Sequence, residues 1–118
     1  MLILLVEDEP LVRMLSADVL SEAGFDVVEA RNADEAVRVL EREPGIAALV
    51  TEVDMPGSMD GLMLARLAHE RFPGMPALVV SGKVRPSPAE LPPLSSFVAK
   101  PFAPNVLIKE LKGLLAAA

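Results

Sequence analysis

Five polar residues stand where short apolar runs end. Glu7 and Asp8 follow Leu2–Val6, Glu52 follows Ile46–Thr51, Ser81 closes Pro76–Ser81, and Lys100 follows Ser96–Ala99. If these runs are strands of one parallel sheet, all five residues lie at its C-terminal edge, where doubly wound folds form ligand sites. Three carboxylates in one small region repel, so one must take a proton or a cation must stand among them. Oxygen donors without His or Cys favour Mg²⁺ over zinc or copper. Carboxylates, a divalent ion, an ammonium and a hydroxyl together suit a phosphoryl group. Each residue taken singly reads as solvated surface charge, the default for such acids. Four strands ending in polar residues on one edge is a pattern that chance does not readily supply.

The elements that must position them alternate. Apolar runs of strand length at Leu2–Val6, Phe25–Ala30, Ile46–Thr51, Pro76–Ser81 and Ser96–Ala99 are separated by segments of helical period, as βα units and a parallel sheet require. Unbroken apolar strands imply helices on both faces. The first helix opens at Pro10, draws an apolar face from Leu11, Met14, Leu15, Val19 and Leu20, and stops at Gly24. Asn32 caps the second, "ADEAVRVLERE", which ends before Pro44. "GLMLARLAHERF" after Asp60 is the third, and "PNVLIKELKGLLAAA" closes the chain. Between the fourth and fifth strands, "GKVRPSPAELPPLS" carries four prolines. Each costs about 3 kcal/mol inside a helix, so one turn around Pro88–Leu91 is the most this segment supports. Residues 1–118 read as a single domain without linker or repeat.

Composition narrows the function. A net charge of −6 with scattered basic residues argues against direct nucleic-acid binding, which needs concentrated Lys and Arg. Aromatics are 3% of the chain, with no Trp or Tyr, too few for a base-stacking surface. No apolar run approaches the roughly 20 residues of a membrane span, and the start lacks a signal peptide's basic n-region and cleavage site. The absence of cysteine excludes thiolate metal sites and cysteine nucleophiles and fits a cytoplasmic setting.

The stretches "LLVEDEP", "LVTEVDMPGSMDGL", "LVVSGK" and "FVAKPF", taken together and in this order, resemble the receiver domain of bacterial two-component response regulators over essentially the whole chain. The resemblance implies a flavodoxin-like, doubly wound α/β fold with five parallel strands, here with the fourth helix short or missing. It also implies Mg²⁺-dependent phosphotransfer from the phosphohistidine of a histidine kinase or histidine phosphotransfer protein, followed by binding of a downstream protein partner. In that family's terms Asp8 holds Mg²⁺ directly and Glu7 through water. Asp54 contributes its backbone carbonyl, and its side chain need not be a ligand. Ser81 is the switch hydroxyl, Gly82 leaves room for the incoming group, and Lys100 pairs with a phosphoryl oxygen. Lys100–Pro101 is the family's cis peptide. Phe97 stands where an aromatic rotamer reports the switch, and reads equally as a plain core aromatic. The first helix resembles the face that docks a helical phosphotransfer domain, although its apolar positions read equally as sheet-facing core. Met14, Met63 and Met75 read as core filler, and His69 as a solvated surface residue. With no effector following, a stand-alone receiver or a truncated regulator is expected.

The departure is Glu52, which occupies the phosphoacceptor and metal-ligand position, four residues before Pro56, where the family has Asp. The extra methylene moves the carboxylate outward by up to about 1.5 Å. Displacements of about 1 Å can cost on the order of 10²-fold in rate. The same displacement carries a permanent negative charge toward the phosphoryl position. It imitates phosphorylation in part, without the charge of roughly −2 or the three acceptor oxygens. The alternative is a slow but competent acceptor at Glu52. A Mg²⁺-dependent phosphatase of the haloacid-dehalogenase type would need a second Asp two residues after its nucleophile; "EDEP" offers Asp8 and then Pro10, so that pattern fails. "MPGSMDG" is neither a P-loop nor a dinucleotide-binding turn.

Overall fold

Each strand alternates its side chains between two apolar layers, and the fold follows from filling both. In the computed structural model, which describes residues 1–118, the order is β1 (Leu2–Val6), α1 (Pro10–Glu22), β2 (Asp26–Ala30), α2 (Ala33–Arg42), β3 (Ile46–Glu52), α3 (Gly61–Arg71), β4 (Ala77–Ser81), a 3₁₀ turn (Pro88–Glu90), β5 (Ser95–Ala99) and α4 (Pro104–Ala117). The five strands are parallel in the order β2-β1-β3-β4-β5. Leu4, Val6, Leu49 and Val79 pack under α2 and α3 with Val39, Leu64 and Ala65. Ile3, Leu5, Val50 and Leu78 face the other way, onto Leu20 of α1 and Leu107 and Leu111 of α4. Full burial of each such side chain contributes about 1.5–3 kcal/mol.

The parallel sheet expected from the apolar runs, and the flavodoxin-like fold that the resemblance implies, are present. The segment between β4 and β5 holds only a three-residue 3₁₀ turn, as its prolines require. The turn is tied down from outside, because the Arg66 guanidinium donates to the Glu90 carbonyl at 2.9 and 3.1 Å. Helix caps fall where short polar residues stand. Asn32 accepts from the Glu35 amide and Asp60 from the Met63 amide, each at 2.8 Å; such caps are worth about 1 kcal/mol.

Four sequence-based expectations need correction. Glu52 is not beyond β3 but its last residue, in register with Val80. The apolar residues of α1 do not all face the sheet: Leu11, Met14 and Leu15 are 63, 52 and 55% exposed. Only Leu20 is fully buried on that helix, because α1 meets the sheet near its C-terminal half. Met63 is likewise half exposed, so Met75 alone of the three methionines is core filler. His69 is half-buried rather than fully solvated, and its Nδ1 has no hydrogen-bond partner.

One glycine is forced by packing. α3 begins so close to the end of β3 that a Cβ on Gly61 would lie 1.7 Å from the Glu52 carbonyl oxygen and 2.9 Å from Thr51 Oγ1. The Gly61 amide donates to the Val53 carbonyl at 2.9 Å, fixing this approach. Relief requires backbone movement directly beneath the site. Gly61→Ala is therefore expected to destabilise the fold by about 3 kcal/mol or more, read as a lowered midpoint in chemical denaturation.

Candidate functional site

Ladder hydrogen bonds continue past the strand ends and fix the first loop residues. The Glu7 amide donates to the Ala30 carbonyl at 3.1 Å, Val53 to Val80 at 2.9 Å, and Lys100 to Ser81 at 2.9 Å. The backbones of β1, β3 and β5 are thereby held against their neighbours just where the polar side chains leave them. Glu7, Asp8, Glu52, Asp54, Gly82 and Lys100 then line one cleft of ≈ 380 Å³.

Lys100 organises it. Its Nζ lies 2.7 Å from Glu7 Oε1 and 2.7 Å from Glu52 Oε2. Both carboxylates are buried, Glu52 being 7% exposed. The ammonium hydrogen-bonds Glu7. It pairs as closely with Oε2 of Glu52. Oε1 of Glu52 accepts from the Asp54 amide at 3.3 Å, and Oε2 of Glu7 from the Glu9 amide at 3.2 Å. Burial raises the pKa of Glu52; the paired Lys100 and the Asp54 amide only partly oppose it, and the Glu7 charge adds to the rise. For Lys100, burial works against the charge but the two carboxylates outweigh it, and its pKa is raised.

Ser81 does not point at Glu52. Its hydroxyl donates to Asp54 Oδ2 at 2.9 Å, and its oxygen accepts from the amides of Lys83 at 3.3 Å and Val84 at 3.0 Å. The Asp54 side chain, expected to be a bystander to its own carbonyl, is thus part of the polar network. Gly82 lies beside Lys100, and an added Cβ would meet Lys100 Cβ at 3.4 Å, an ordinary contact. The Lys100–Pro101 peptide is cis. Phe97 does not reach the cleft; it is half-buried against the α2–α3 layer.

Two participants escaped the sequence analysis. Arg13 donates to the Glu7 carbonyl at 2.8 Å and pairs with Glu29 at 3.2 Å, clamping the end of β1. It is the only basic residue of α1, one turn after an acidic loop, and that isolation was the available signal. Lys83, the last residue of the "LVVSGK" stretch, lines the cleft as well. Next to the cleft, Val12, Leu15, Val19, Pro101, Phe102 and Pro104 border an apolar groove of ≈ 650 Å³. The exposed Leu11 and Met14 lie on the same helix.

The comparisons with known proteins agree with this architecture. The sequence profile of the response regulator receiver domain matches residues 3–112. A chemotaxis protein CheY homolog of Campylobacter jejuni is 31% identical over 121 residues, spanning 98% of this chain and 92% of its own. The NtrX-like response regulator of Rickettsia bellii is 33% identical over 81 residues; they cover 68% of this chain but only 17% of that larger protein. The crystal structure of a response regulator receiver protein from Sinorhizobium medicae superposes with a TM-score of 0.91 at 32% identity, covering 98% of this chain and 94% of its own. No helix is long and apolar enough to cross a membrane.

The ion pairs give stability a defined pH dependence. Folding favours protonated Glu52, so that contribution is present below its ordinary pKa of 4.5 and is lost as pH rises through the higher folded value. Lys100 contributes below its ordinary 10.5, and the contribution is lost as pH rises through its still higher folded value. In metal-free buffer Lys100→Met is expected to cost about 3 kcal/mol at pH 7, since it strands two buried carboxylates. The penalty should shrink toward pH 4 as Glu52, whose pKa burial raises, takes its proton. Urea titrations of both chains at pH 4, 7 and 9 test this, and a penalty independent of pH would contradict it.

Proposed function

The chain belongs to the response regulator receiver domain family, and on that premise we propose that it is a signalling module whose acceptor position is held by a resident, unphosphorylated charge. One observation carries the proposal: the Glu52 carboxylate is buried at the end of β3 with Lys100 Nζ 2.7 Å away. In the family this lysine engages a phosphoryl oxygen, and here a side-chain oxygen already engages it. Glu52 thereby imitates the phosphorylated state in charge while lacking its second negative charge and its three acceptor oxygens. A slow acceptor at Glu52 is disfavoured by the engagement of both its oxygens.

The residues present fit Mg²⁺. The cleft brings together the carboxylates of Glu7, Asp8, Glu52 and Asp54 without His or Cys, an all-oxygen ligand set. No three side chains form a closed cage for a metal, but Mg²⁺ binds through one or two carboxylates and keeps several waters. Asp8, Glu52 and the Asp54 carbonyl would hold it, with Glu7 acting through water. Bound there, the ion would neutralise charge on an incoming phosphoryl group. The protein's own part is to hold Lys100 and Ser81 in place and to keep Glu52 out of line for attack. Partners would be a histidine kinase or histidine phosphotransfer protein and a downstream protein, in the cytoplasm. The apolar groove between α1 and Pro101–Pro104 suits a helical partner. The work is partner binding rather than turnover of a substrate.

Incubation with acetyl phosphate and Mg²⁺ tests the role of Glu52. Glu52→Asp is expected to take a phosphoryl group at residue 52 at least about 10²-fold faster than the parent chain does at that residue. Equal labelling of residue 52 in both chains would remove the basis for a resident charge.

A further inference from the structure

With Glu52 withdrawn into its ion pair, a different carboxylate lies open in the same cleft. Asp54 stands two residues beyond Glu52, is only partly buried, and lines the cleft with Asp8, Lys83 and Lys100. Its Oδ2 accepts the Ser81 hydroxyl proton at 2.9 Å. That assignment is forced, because the Ser81 oxygen already accepts from the amides of Lys83 and Val84. The other Asp54 oxygen has no partner within the protein. By contrast, Glu52 has one oxygen on the Asp54 amide and the other against Lys100. Of the two, Asp54 presents the accessible nucleophile.

We propose that Asp54 is a phosphoryl acceptor of this chain. The proposal rests on the receiver assignment above and changes which residue would carry the modification. The free Asp54 oxygen attacks the phosphorus of an acyl phosphate or a phosphohistidine entering the cleft. The new bond is carboxylate oxygen to phosphorus. The broken bond is phosphorus to the donor's oxygen or nitrogen, whose electron pair leaves with the donor as acetate or imidazole. No oxidant or reductant is involved. Lys83 and Lys100 line the cleft that would receive the phosphoryl oxygens. Ser81, already directed at Asp54, passes the added charge to the amides of residues 83 and 84, which begin the proline-dense crossover.

The test uses the full chain. After incubation with acetyl phosphate and Mg²⁺, sodium borohydride reduces an aspartyl phosphate to homoserine and a glutamyl phosphate to hydroxynorvaline, and peptide mass spectrometry locates the product. The expected result is homoserine at position 54 and no reduced residue at 52. The signal should be lost in Asp54→Asn. Hydroxynorvaline at 52, or label that survives Asp54→Asn, overturns the proposal. If only Glu52→Asp is labelled, at residue 52, Asp54 is not an acceptor while the receiver assignment stands. If no chain is labelled, including Glu52→Asp, both fail. Mapping on the parent chain decides the matter even if a variant fails to fold.

Discussion

The site depends on one ammonium group. Lys100 leaves the edge strand β5 and reaches across the end of β4 to carboxylates on β3 and β1. Without it, Glu7 and Glu52 would confront each other in a buried space, which two like charges tolerate only if one is protonated. The stem passes beside Gly82, where an added Cβ would make only ordinary contact with the lysine's own Cβ. The backbone ties from Lys100 to Ser81 and from Glu7 to Ala30 keep this span constant. Buried ion pairs of this kind are weak contributors to net stability but costly to break. They fix geometry more than they add free energy.

Geometry is also where the extra methylene of Glu52 acts. The residue lies within β3, so its backbone cannot retreat, and Gly61 presses on its carbonyl from the other side. The longer side chain has to turn somewhere, and it turns toward Lys100. The neighbouring Asp54 is then left to receive the Ser81 hydroxyl. Glu52 and Asp54 thus divide the donors of the site between them, Lys100 to the one and the Ser81 hydroxyl to the other.

Much of this was legible in the sequence for physical reasons. Strands buried on both faces must read as unbroken apolar runs, and helices must carry caps, so all five strands and the four helices could be placed to within a residue or two. Polar residues ending those runs had to share an edge. The partner of each was not legible. Ser81 and Asp54 are 27 positions apart, and which of two nearby carboxylates takes a hydroxyl depends on rotamers that no spacing encodes. Leu11, Met14 and Leu15 mislead for a related reason. Helix α1 is apolar on more than one side, and periodicity does not say which side meets the sheet.

The crossover between β4 and β5 turns this local network into a route outward. Proline removes the amides that would build a helix there, so the segment relies on a few fastenings: Arg66 on the Glu90 carbonyl, the Ser87 amide on the Glu90 carboxylate at 2.9 Å, and the Ser81 oxygen on the amides of 83 and 84. A segment so sparsely held opens at low free energy. Of these fastenings only Ser81 touches the acidic cleft. A change of charge at Asp54 therefore meets the crossover through one hydroxyl, whose oxygen holds the two amides of its first turn while Arg66 holds its last.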